Sequence, residues 1–181
     1  FDVNDTALAA TKSELGDQHL YLNVNVADHA ACERAVEEVI KTFGGLDTLV
    51  TMAGTVPPGG IAEITEEGYD AVMDNHMRGT FNMCQVVAPI LRAQKSGSIV
   101  CMSSIAAERG GGLRGGAHYA AAKGGILAFA RALAREMGPD NVRVNAVCPG
   151  PIWTGRQTLS EQNSRFAPEI PLRRVGMPEE V

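Results

Sequence analysis

The chain has 181 residues, of which 45% are hydrophobic and 20% are charged. This length and apolar fraction suit one globular α/β domain with a sizeable core. The formal net charge is -5 at pH 7, with Lys and Arg scattered along the chain and no apolar run of membrane-spanning length, which argues against a nucleic-acid surface and a transmembrane segment. Small soluble molecules are therefore the expected partners.

Alternating apolar and amphipathic segments predict a regular α/β order. Strands are predicted from the short apolar runs at 20–26, 46–52, 98–102 and 142–147, with an earlier strand ending at Asp2. Helices are predicted from the 3.6-residue periodicity, from Asp28 to Gly44, from Thr65 to Leu91 and from about Tyr119 to Met137. Strands separated by helices of this length pair in parallel. The sequence predicts a doubly wound, Rossmann-like sheet in a three-layer α/β/α domain over residues 1–181.

The four cysteines lie far apart in apolar segments, at Cys32, Cys84, Cys101 and Cys148. Such isolated thiols are typical of buried residues in a reducing compartment. We therefore expect a cytoplasmic protein without a disulfide framework or a metal site.

Ligands of a doubly wound sheet bind beyond the carboxyl ends of its strands. The residues that follow the predicted strands are Asp2, 25–28, Ala53–Gly54, Ser103–Ser104 and Pro149–Gly150. Turn chemistry explains any one of them, and it is the preferred interpretation for Asp28 and Pro149 taken alone. Their joint placement favours a bound ligand.

One glycine-rich segment, 110–115, formally matches the dinucleotide fingerprint G-x-G-x-x-G. Five residues separate it from the preceding strand and no helix starts at its last glycine, so the context is wrong for a phosphate site. We interpret it as a flexible loop bordering the active site. A fingerprint about 20 residues before Asp2 would precede the first residue of this sequence.

Tyr119 and Lys123 are four residues apart, which places them on one face of the predicted helix. A phenol with a pKa of about 10 is a poor base at neutral pH, and a cation within a few ångströms lowers that pKa by about 1 to 3. The pair is therefore a candidate for acid-base catalysis, although a structural pair is the commoner interpretation of such spacing in isolation.

Four features occur together in one order: Ala53–Gly54 after a strand, Ser104, Tyr119-x-x-x-Lys123 and the run 149–154, Pro-Gly-Pro-Ile-Trp-Thr. This set resembles the single-domain short-chain dehydrogenase/reductases, and the resemblance runs from Phe1 to Val181. Full-length members run to roughly 250 residues, so the sequence looks like an internal fragment without the first strand, its glycine-rich loop and helix, and the last strand.

The resemblance implies an NAD(P)-dependent oxidoreductase that transfers a hydride, without a metal, between a nicotinamide and a secondary alcohol or ketone. It implies that Tyr119 exchanges a proton with the substrate oxygen, that Lys123 also holds the nicotinamide ribose, and that Ser104 hydrogen-bonds the same oxygen. Ser104 is preferred because the second serine of the pair matches the family's catalytic one. Its spacing to Tyr119 is long, and Ser103 remains an alternative that loop tolerance permits.

The resemblance also implies a set of cofactor-binding residues: Asp2, Asn25, Val26, Ala53, Gly54, Tyr119, Lys123, Pro149, Gly150, Ile152 and Thr154. An acid at the position of Asp2 accepts hydrogen bonds from a ribose 2′-hydroxyl and repels a 2′-phosphate. NAD is therefore expected, and NADP less so. A homotetramer is also implied, in which the helices around 69–91 and 119–137 pair across subunits through small residues such as Ala128, Ala132 and Ala134.

Two positions depart from the family pattern. Thr51-Met52 precede Ala53–Gly54 where the family usually has two asparagines. His76 occupies the position of the active-site asparagine that helps to hold a proton-relay water. Either His76 is a core residue on an apolar helical stripe, or its neutral imidazole replaces the amide as donor and acceptor.

Two other function classes remain open from the residues: a catalytically silent dinucleotide-binding or scaffold homologue, and an extended-type epimerase. His76 and the missing glycine loop favour the silent class, whereas Ser104, Tyr119 and Lys123 count against it. The 149–154 run and the lack of a second domain count against the epimerase. The substrate is unassigned, because the loops 105–118 and 156–168 carry no transferable code.

Overall fold

The computed structural model of the chain describes residues 1–111, 115–155 and 157–181. Its elements are, in chain order, α1 (Asp5–Leu15), α2 (His29–Phe43), β1 (Thr48–Thr51), α3 (Glu66–Met73), a π-helical turn (Asp74–Arg78), α4 (Gly79–Gln94), β2 (Gly97–Met102), α5 (Ala106–Arg109), α6 (Ala117–Met137), β3 (Val142–Val147) and α7 (Leu159–Phe166). Short 3-10 turns follow α6 and α7, and a third one lies at Pro178–Glu180. None of the helices in this part of the chain has the length and hydropathy needed to cross a membrane.

The three strands form a parallel sheet in the order β1-β2-β3. Thr48 pairs with Ser98 at one end of the first ladder, and Gly97 pairs with Val142 at the start of the second. The segments α3 to α4 and α6 connect successive parallel strands, as the sequence predicted. The doubly wound α/β fold is confirmed.

The predicted strand at 20–26 is reduced to one parallel bridge, between Asp2 and Asn23. The Asp2 amide donates to Leu22 O at 3.3 Å, and the Val24 amide donates to Asp2 O at 3.0 Å. Residues 20–26 otherwise run beside the sheet without regular pairing.

The core lies between the sheet and the helices α2, α4 and α6. Side chains alternate across each strand, so that Leu49 and Ile99 are buried against this helix layer whereas Val50 is 49% exposed on the opposite face. The cluster buries thiols as well as aliphatic groups: Cys32, Cys84 and Cys101 are buried and Cys148 is partly exposed, all as free cysteines. Burial is therefore confirmed for three of the four cysteines.

Helix α1 was not predicted from the sequence. The Asn4 side chain caps it by accepting a hydrogen bond from the Ala7 amide at 3.0 Å, and Gly16 ends it. All of its side chains stay at least partly exposed, so the sequence lacks the apolar stripe that would have predicted this helix. Local capping, and not a core-facing pattern, carries the signal for this helix.

Candidate active site

A cavity of about 370 Å³ lies at the carboxyl ends of β1, β2 and β3. It brings together nine of the residues singled out in the sequence: Gly54, His76, Ser104, Tyr119, Lys123, Pro149, Gly150, Ile152 and Thr154. A larger open groove of about 780 Å³ between α2 and α4 is lined by other residues. The concentration of chemically useful side chains in the smaller cavity makes it the candidate active site.

Four predicted cofactor residues, Asp2, Asn25, Val26 and Ala53, lie outside the lining of this cavity. Asp2 Oδ1 accepts from the Asn4 amide at 2.9 Å, and Asn25 Oδ1 accepts from the Ala27 amide at 3.0 Å. These contacts shape the turns after the two paired segments. The cofactor roles of the four residues stay predictions.

Tyr119 and Lys123 lie one turn apart on α6, and both are buried at the cavity wall. Lys123 Nζ is 5.9 Å from the centroid of the Tyr119 ring. Among the described residues Nζ donates one hydrogen bond, to Met102 O at 2.7 Å. An ammonium has three donors, so two of them remain for a ligand.

Burial lowers the pKa of Lys123 to about 8, because the ammonium is removed from water, and the nearby Cys148 thiol acts in the opposite direction. The side chain is therefore still mostly cationic at pH 7. A cation held beside the Tyr119 ring is what the sequence interpretation required of this residue.

The adjacent serines after β2 have different environments. Ser103 is buried and its Oγ donates to Lys123 O at 2.7 Å, which ties α6 to the end of the strand. Ser104 Oγ accepts from the Ala106 amide at 3.1 Å while lining the cavity. Because Ser104 uses its oxygen as an acceptor, its own O–H is available to a ligand. This geometry supports Ser104 over Ser103 as the serine that meets the substrate.

His76 lies in the π-helical turn between α3 and α4. Such wide turns often mark functional sites, because they change the direction of the side chains around them. His76 is buried, as a core residue would be, and it also lines the cavity, with its ring centroid 5.3 Å from that of Tyr119 and the two planes at 77°. The burial of His76 thus agrees with a core residue, and its place in the cavity wall agrees with a replacement of the relay asparagine.

The hydrogen bonds of His76 assign its tautomer. Nε2 is 2.6 Å from Thr55 O, and the Thr55 amide is within hydrogen-bond distance of the same nitrogen, at 3.2 Å. One ring nitrogen cannot donate and accept at the same time, so we assign the proton to Nε2 on the basis of the shorter contact. With this assignment Nδ1 is a buried acceptor, and it has no hydrogen-bond partner within residues 1–111, 115–155 and 157–181. An unsatisfied acceptor beside Tyr119 is a site for a water or ligand donor.

Gly54 provides the space that the His76 ring occupies. Gly54 has a φ of +154°, and a Cβ added there would overlap the ring of His76. The hydrogen bond from His76 to the next residue, Thr55, holds the two segments in this contact. Glycine is therefore required at the end of β1 for steric as well as conformational reasons.

The pKa of His76 is lowered to about 4 by burial first and the charge of Lys123 second, while the hydrogen bond to Thr55 acts in the opposite direction. The unfolded chain, with a histidine pKa of about 6.5, binds more protons than the native state between these values. The stability linked to neutral His76 is thus present above about pH 6.5 and is lost as the pH falls toward 4.

We therefore expect the free energy of unfolding to drop between pH 7 and pH 5 by about 2 kcal/mol more in the wild type than in His76→Asn. Denaturant titrations at the two pH values measure the difference. His19→Asn, which removes an exposed histidine, serves as the control and should behave like the wild type. An equal drop in the wild type and His76→Asn would contradict the assignment of a depressed pKa to His76.

Sequence reasoning missed the contribution of α7, which it treated as part of a loop at 156–168. Gln162 and Phe166 of this helix are buried and line the cavity. The missed signal is a capping box: Thr158 Oγ1 accepts from the Glu161 amide at 3.2 Å, and Glu161 accepts from the Thr158 amide at 3.0 Å. Arg156, at the start of the predicted loop, lies outside the described residues.

The glycine-rich segment 110–115 is described only in part, because Gly112, Leu113 and Arg114 lie outside the described residues. Gly111 lines the cavity, and the short helix α5 separates the segment from β2. A fingerprint glycine loop would follow its strand directly. The described part thus agrees with a loop at the border of the site.

The donors of the cavity fit a carbonyl or hydroxyl oxygen beside a nicotinamide ribose. Lys123 has two N–H groups and Ser104 one O–H group available, and the Tyr119 phenol lies in the same wall. At the open side, a Cβ added to Gly150 would meet no described atom within 4 Å. A flat ring system can therefore approach the backbone there.

A family model described as Enoyl-(Acyl carrier protein) reductase matches residues 1–181. A short-chain type dehydrogenase/reductase of Sinorhizobium fredii is 42% identical over 87% of the chain and 64% of its own length. The chain belongs to the short-chain dehydrogenase/reductase family. A 3-oxoacyl-[acyl-carrier-protein] reductase of Thermotoga maritima is 37% identical over 87% of the present chain. A cyclohexanol dehydrogenase of a Rhodococcus species is 35% identical over 92% of the present chain. The alignments span 64% of each of these two relatives.

Proposed function

We propose that the protein is an NAD(P)-dependent oxidoreductase that transfers a hydride between a nicotinamide cofactor and a secondary alcohol or ketone. The observation that carries this proposal is the convergence of Ser104, Tyr119 and Lys123 in one cavity, with donors available on Ser104 and Lys123. The names of the relatives agree, since they include a 3-oxoacyl-[acyl-carrier-protein] reductase and a cyclohexanol dehydrogenase.

The nicotinamide, when bound, supplies or accepts the hydride. The chain's own residues handle the oxygen: in reduction, the Tyr119 phenol gives its proton to the developing alkoxide, and in oxidation it takes the proton back. The Lys123 ammonium offsets the negative charge that this leaves on Tyr119, and the Ser104 hydroxyl donates to the substrate oxygen. Acid-base catalysis of this kind contributes about 10²- to 10⁴-fold, and alignment of the reactants contributes the remainder.

The cofactor would be held by residues on both sides of the cavity. Lys123 would donate to the nicotinamide ribose, and Gly54, Gly150, Ile152 and Thr154 would line the nicotinamide. Asn25, Val26, Ala53 and Pro149 complete the proposed contacts at the strand ends. Small residues at these ends let the backbone approach the cofactor closely.

The proposal is tested by assaying the full-length protein with NADH and with NADPH against sugars, steroids, acyl thioesters and simple ketones. Turnover of at least one class with either cofactor is expected. Absence of turnover across the whole panel would refute the proposal and favour the catalytically silent scaffold. His76 in the place of the usual asparagine is the feature that keeps this second candidate open.

We propose that Asp2 determines the preference for NAD over NADP. It lies in the isolated parallel bridge with Asn23 and its side chain is exposed, with Oδ1 accepting from the Asn4 amide. Its negative charge would repel a 2′-phosphate, so kcat/KM is expected to be higher with NADH than with NADPH. Asp2→Ala should shift the ratio toward NADPH, with Asp17→Ala, at an exposed aspartate, as the control. Equal ratios in the wild type and Asp2→Ala would remove Asp2 from this role.

We propose that His76 replaces the family's relay asparagine, because its unpartnered Nδ1 lies on a ring packed against Tyr119. His76→Asn and His76→Leu both remove the titratable ring, but only the asparagine restores an amide. Turnover is expected to persist in His76→Asn, whereas kcat should fall about tenfold or more in His76→Leu without unfolding. Full turnover in His76→Leu would show that the residue serves only the core.

We further propose a homotetramer built on α4 and α6. Phe81 of α4 is 42% exposed, and its ring centroid lies 6.2 Å from that of Phe129 in α6. Ala128 and Ala132 of α6 are also exposed. Ala134, also expected at the interface, instead packs against the chain's own core.

Light scattering of the full-length protein should give a tetramer, and Phe81→Glu should lower the mass of the assembly. The control Ile61→Glu changes an exposed residue outside these helices. A stable wild-type monomer would contradict the proposed assembly.

A further inference from the structure

Helix α7 forms a wall of the cavity with one polar and one apolar side chain. Gln162 and Phe166 are one turn apart, so they share the face of α7 that is turned toward the core, and they are 3% and 2% exposed. The position of the helix is held by Asn163, whose Oδ1 accepts from the Val175 amide at 2.9 Å. Together with its capping box, this contact fixes which face meets the cavity.

The side-chain carbonyl of Gln162 is unsatisfied. Its Oε1 is buried and has no hydrogen-bond partner in the described part of the chain. A buried carbonyl without a partner is destabilising, and glutamine has a flexible side chain that usually finds a partner or solvent. Such a group in the wall of a binding cavity is explained by a ligand that supplies the missing donor.

We propose that Gln162 is a substrate-binding residue. It selects ketones and alcohols that carry, apart from the reacting oxygen, a hydrogen-bond donor such as a hydroxyl or an amide N–H. This inference rests on the proposed oxidoreductase function, since it concerns the same cavity. Ser104 and Tyr119 bind the reacting oxygen, whereas Gln162 lies on α7 and accepts from a different group of the substrate. The carbon skeleton of that substrate contacts Phe166, which lines the same cavity.

The proposal predicts a preference between closely matched substrates. A cavity built to hydrogen-bond a polar group discriminates strongly against the analogue that lacks this group, because its own buried atom is then left unpaired. Cyclohexanone, 2-hydroxycyclohexanone and 4-hydroxycyclohexanone share a ring and a reacting carbonyl, and they differ only in the second donor. The ratio of their kcat/KM values therefore reports the contact with Gln162.

The experiment compares these three ketones in the wild type, in Gln162→Met and in Ser164→Ala of the full-length protein. Methionine has nearly the size of glutamine and no carbonyl group. The ratio of kcat/KM for at least one hydroxylated ketone to that for cyclohexanone is expected to fall about tenfold or more in Gln162→Met. Ser164→Ala changes an exposed serine of the same helix and should keep the wild-type ratios.

The kcat/KM ratios test the role of Gln162 separately from the proposed oxidoreductase function. Turnover of any of the ketones supports the oxidoreductase function, and ratios unchanged within about twofold in Gln162→Met would overturn the role of Gln162 alone. If the wild type turns over none of them, calorimetric titration of the same ketones into the protein decides the question, with tighter binding of a hydroxylated ketone expected only when Gln162 is present. Failure of both hydroxylated ketones to bind the wild type would also overturn the proposal. Melting temperatures identify any variant that fails to fold.

Discussion

Replacing Tyr119 with Phe is expected to lower kcat by about 10²- to 10⁴-fold while NADH binding stays close to that of the wild type. The substitution removes only the hydroxyl that exchanges a proton with the substrate. The aromatic ring, which packs against His76 at 5.3 Å, is retained. Steady-state kinetics and NADH fluorescence titration of the full-length protein measure the two quantities separately.

Lys123→Ala should weaken both turnover and NADH binding, because the ammonium serves Tyr119 and the proposed ribose contact. It also removes the hydrogen bond to Met102 O. Tyr69→Phe, at a tyrosine that is 46% exposed, is the matched control for Tyr119→Phe and should change neither kcat nor NADH binding. Full activity in Tyr119→Phe would refute the proposed mechanism.

Gly54→Ala is expected to lower the free energy of unfolding by about 2–5 kcal/mol and to depress turnover. The added methyl group would overlap the buried His76 ring, and the positive φ adds a backbone cost. The ring then has to leave its contact with Tyr119 or the end of β1 has to move. Denaturant unfolding and kcat/KM of the full-length protein measure the two effects.

A second glycine of the same region separates the clash from the backbone cost. Gly59 has a φ of +130°, but a Cβ there would meet its nearest described atom only at 3.8 Å, in ordinary contact. Gly59→Ala should therefore cost only the backbone part, about 1–3 kcal/mol. His76→Ala should recover part of the stability lost in Gly54→Ala when the two are combined. Equal losses in the two single alanine variants would show that the His76 contact is not the cause.

Local sequence signals were sufficient for the parts of the molecule that depend on neighbours along the chain. The apolar runs that became β2 and β3 are bounded by loop residues. Asp28 and Thr65 immediately precede α2 and α3, and their side chains cap these helices as predicted. The parallel order of the strands follows from the helices between them. The four-residue spacing of Tyr119 and Lys123 places both on one helical face in any such fold.

Local signals were weaker where an element lacks a core-facing stripe. The alanines and leucines of helix α1 form no buried stripe, and α7 is short and sits in a segment with proline and serine, so periodicity did not reveal either. Their caps at Asn4 and Thr158 were the available evidence. The 20–26 run has the composition of a strand, but it forms one isolated bridge, and composition alone does not report strand pairing.

Helical and strand periodicity act over a few residues, so the amino-acid pattern was enough to predict the α/β class, the order of most elements and the position of the Tyr119–Lys123 pair. The folded chain was needed to show which groups are free to bind a ligand. Ser103 and Ser104 are chemically identical, and they differ because Ser103 reaches Lys123 O across the boundary between sheet and helix. The unpartnered atoms of His76 and Gln162 likewise arise from what packs around them. Hydrogen-bond satisfaction depends on residues distant in sequence, so it is a property of the folded chain.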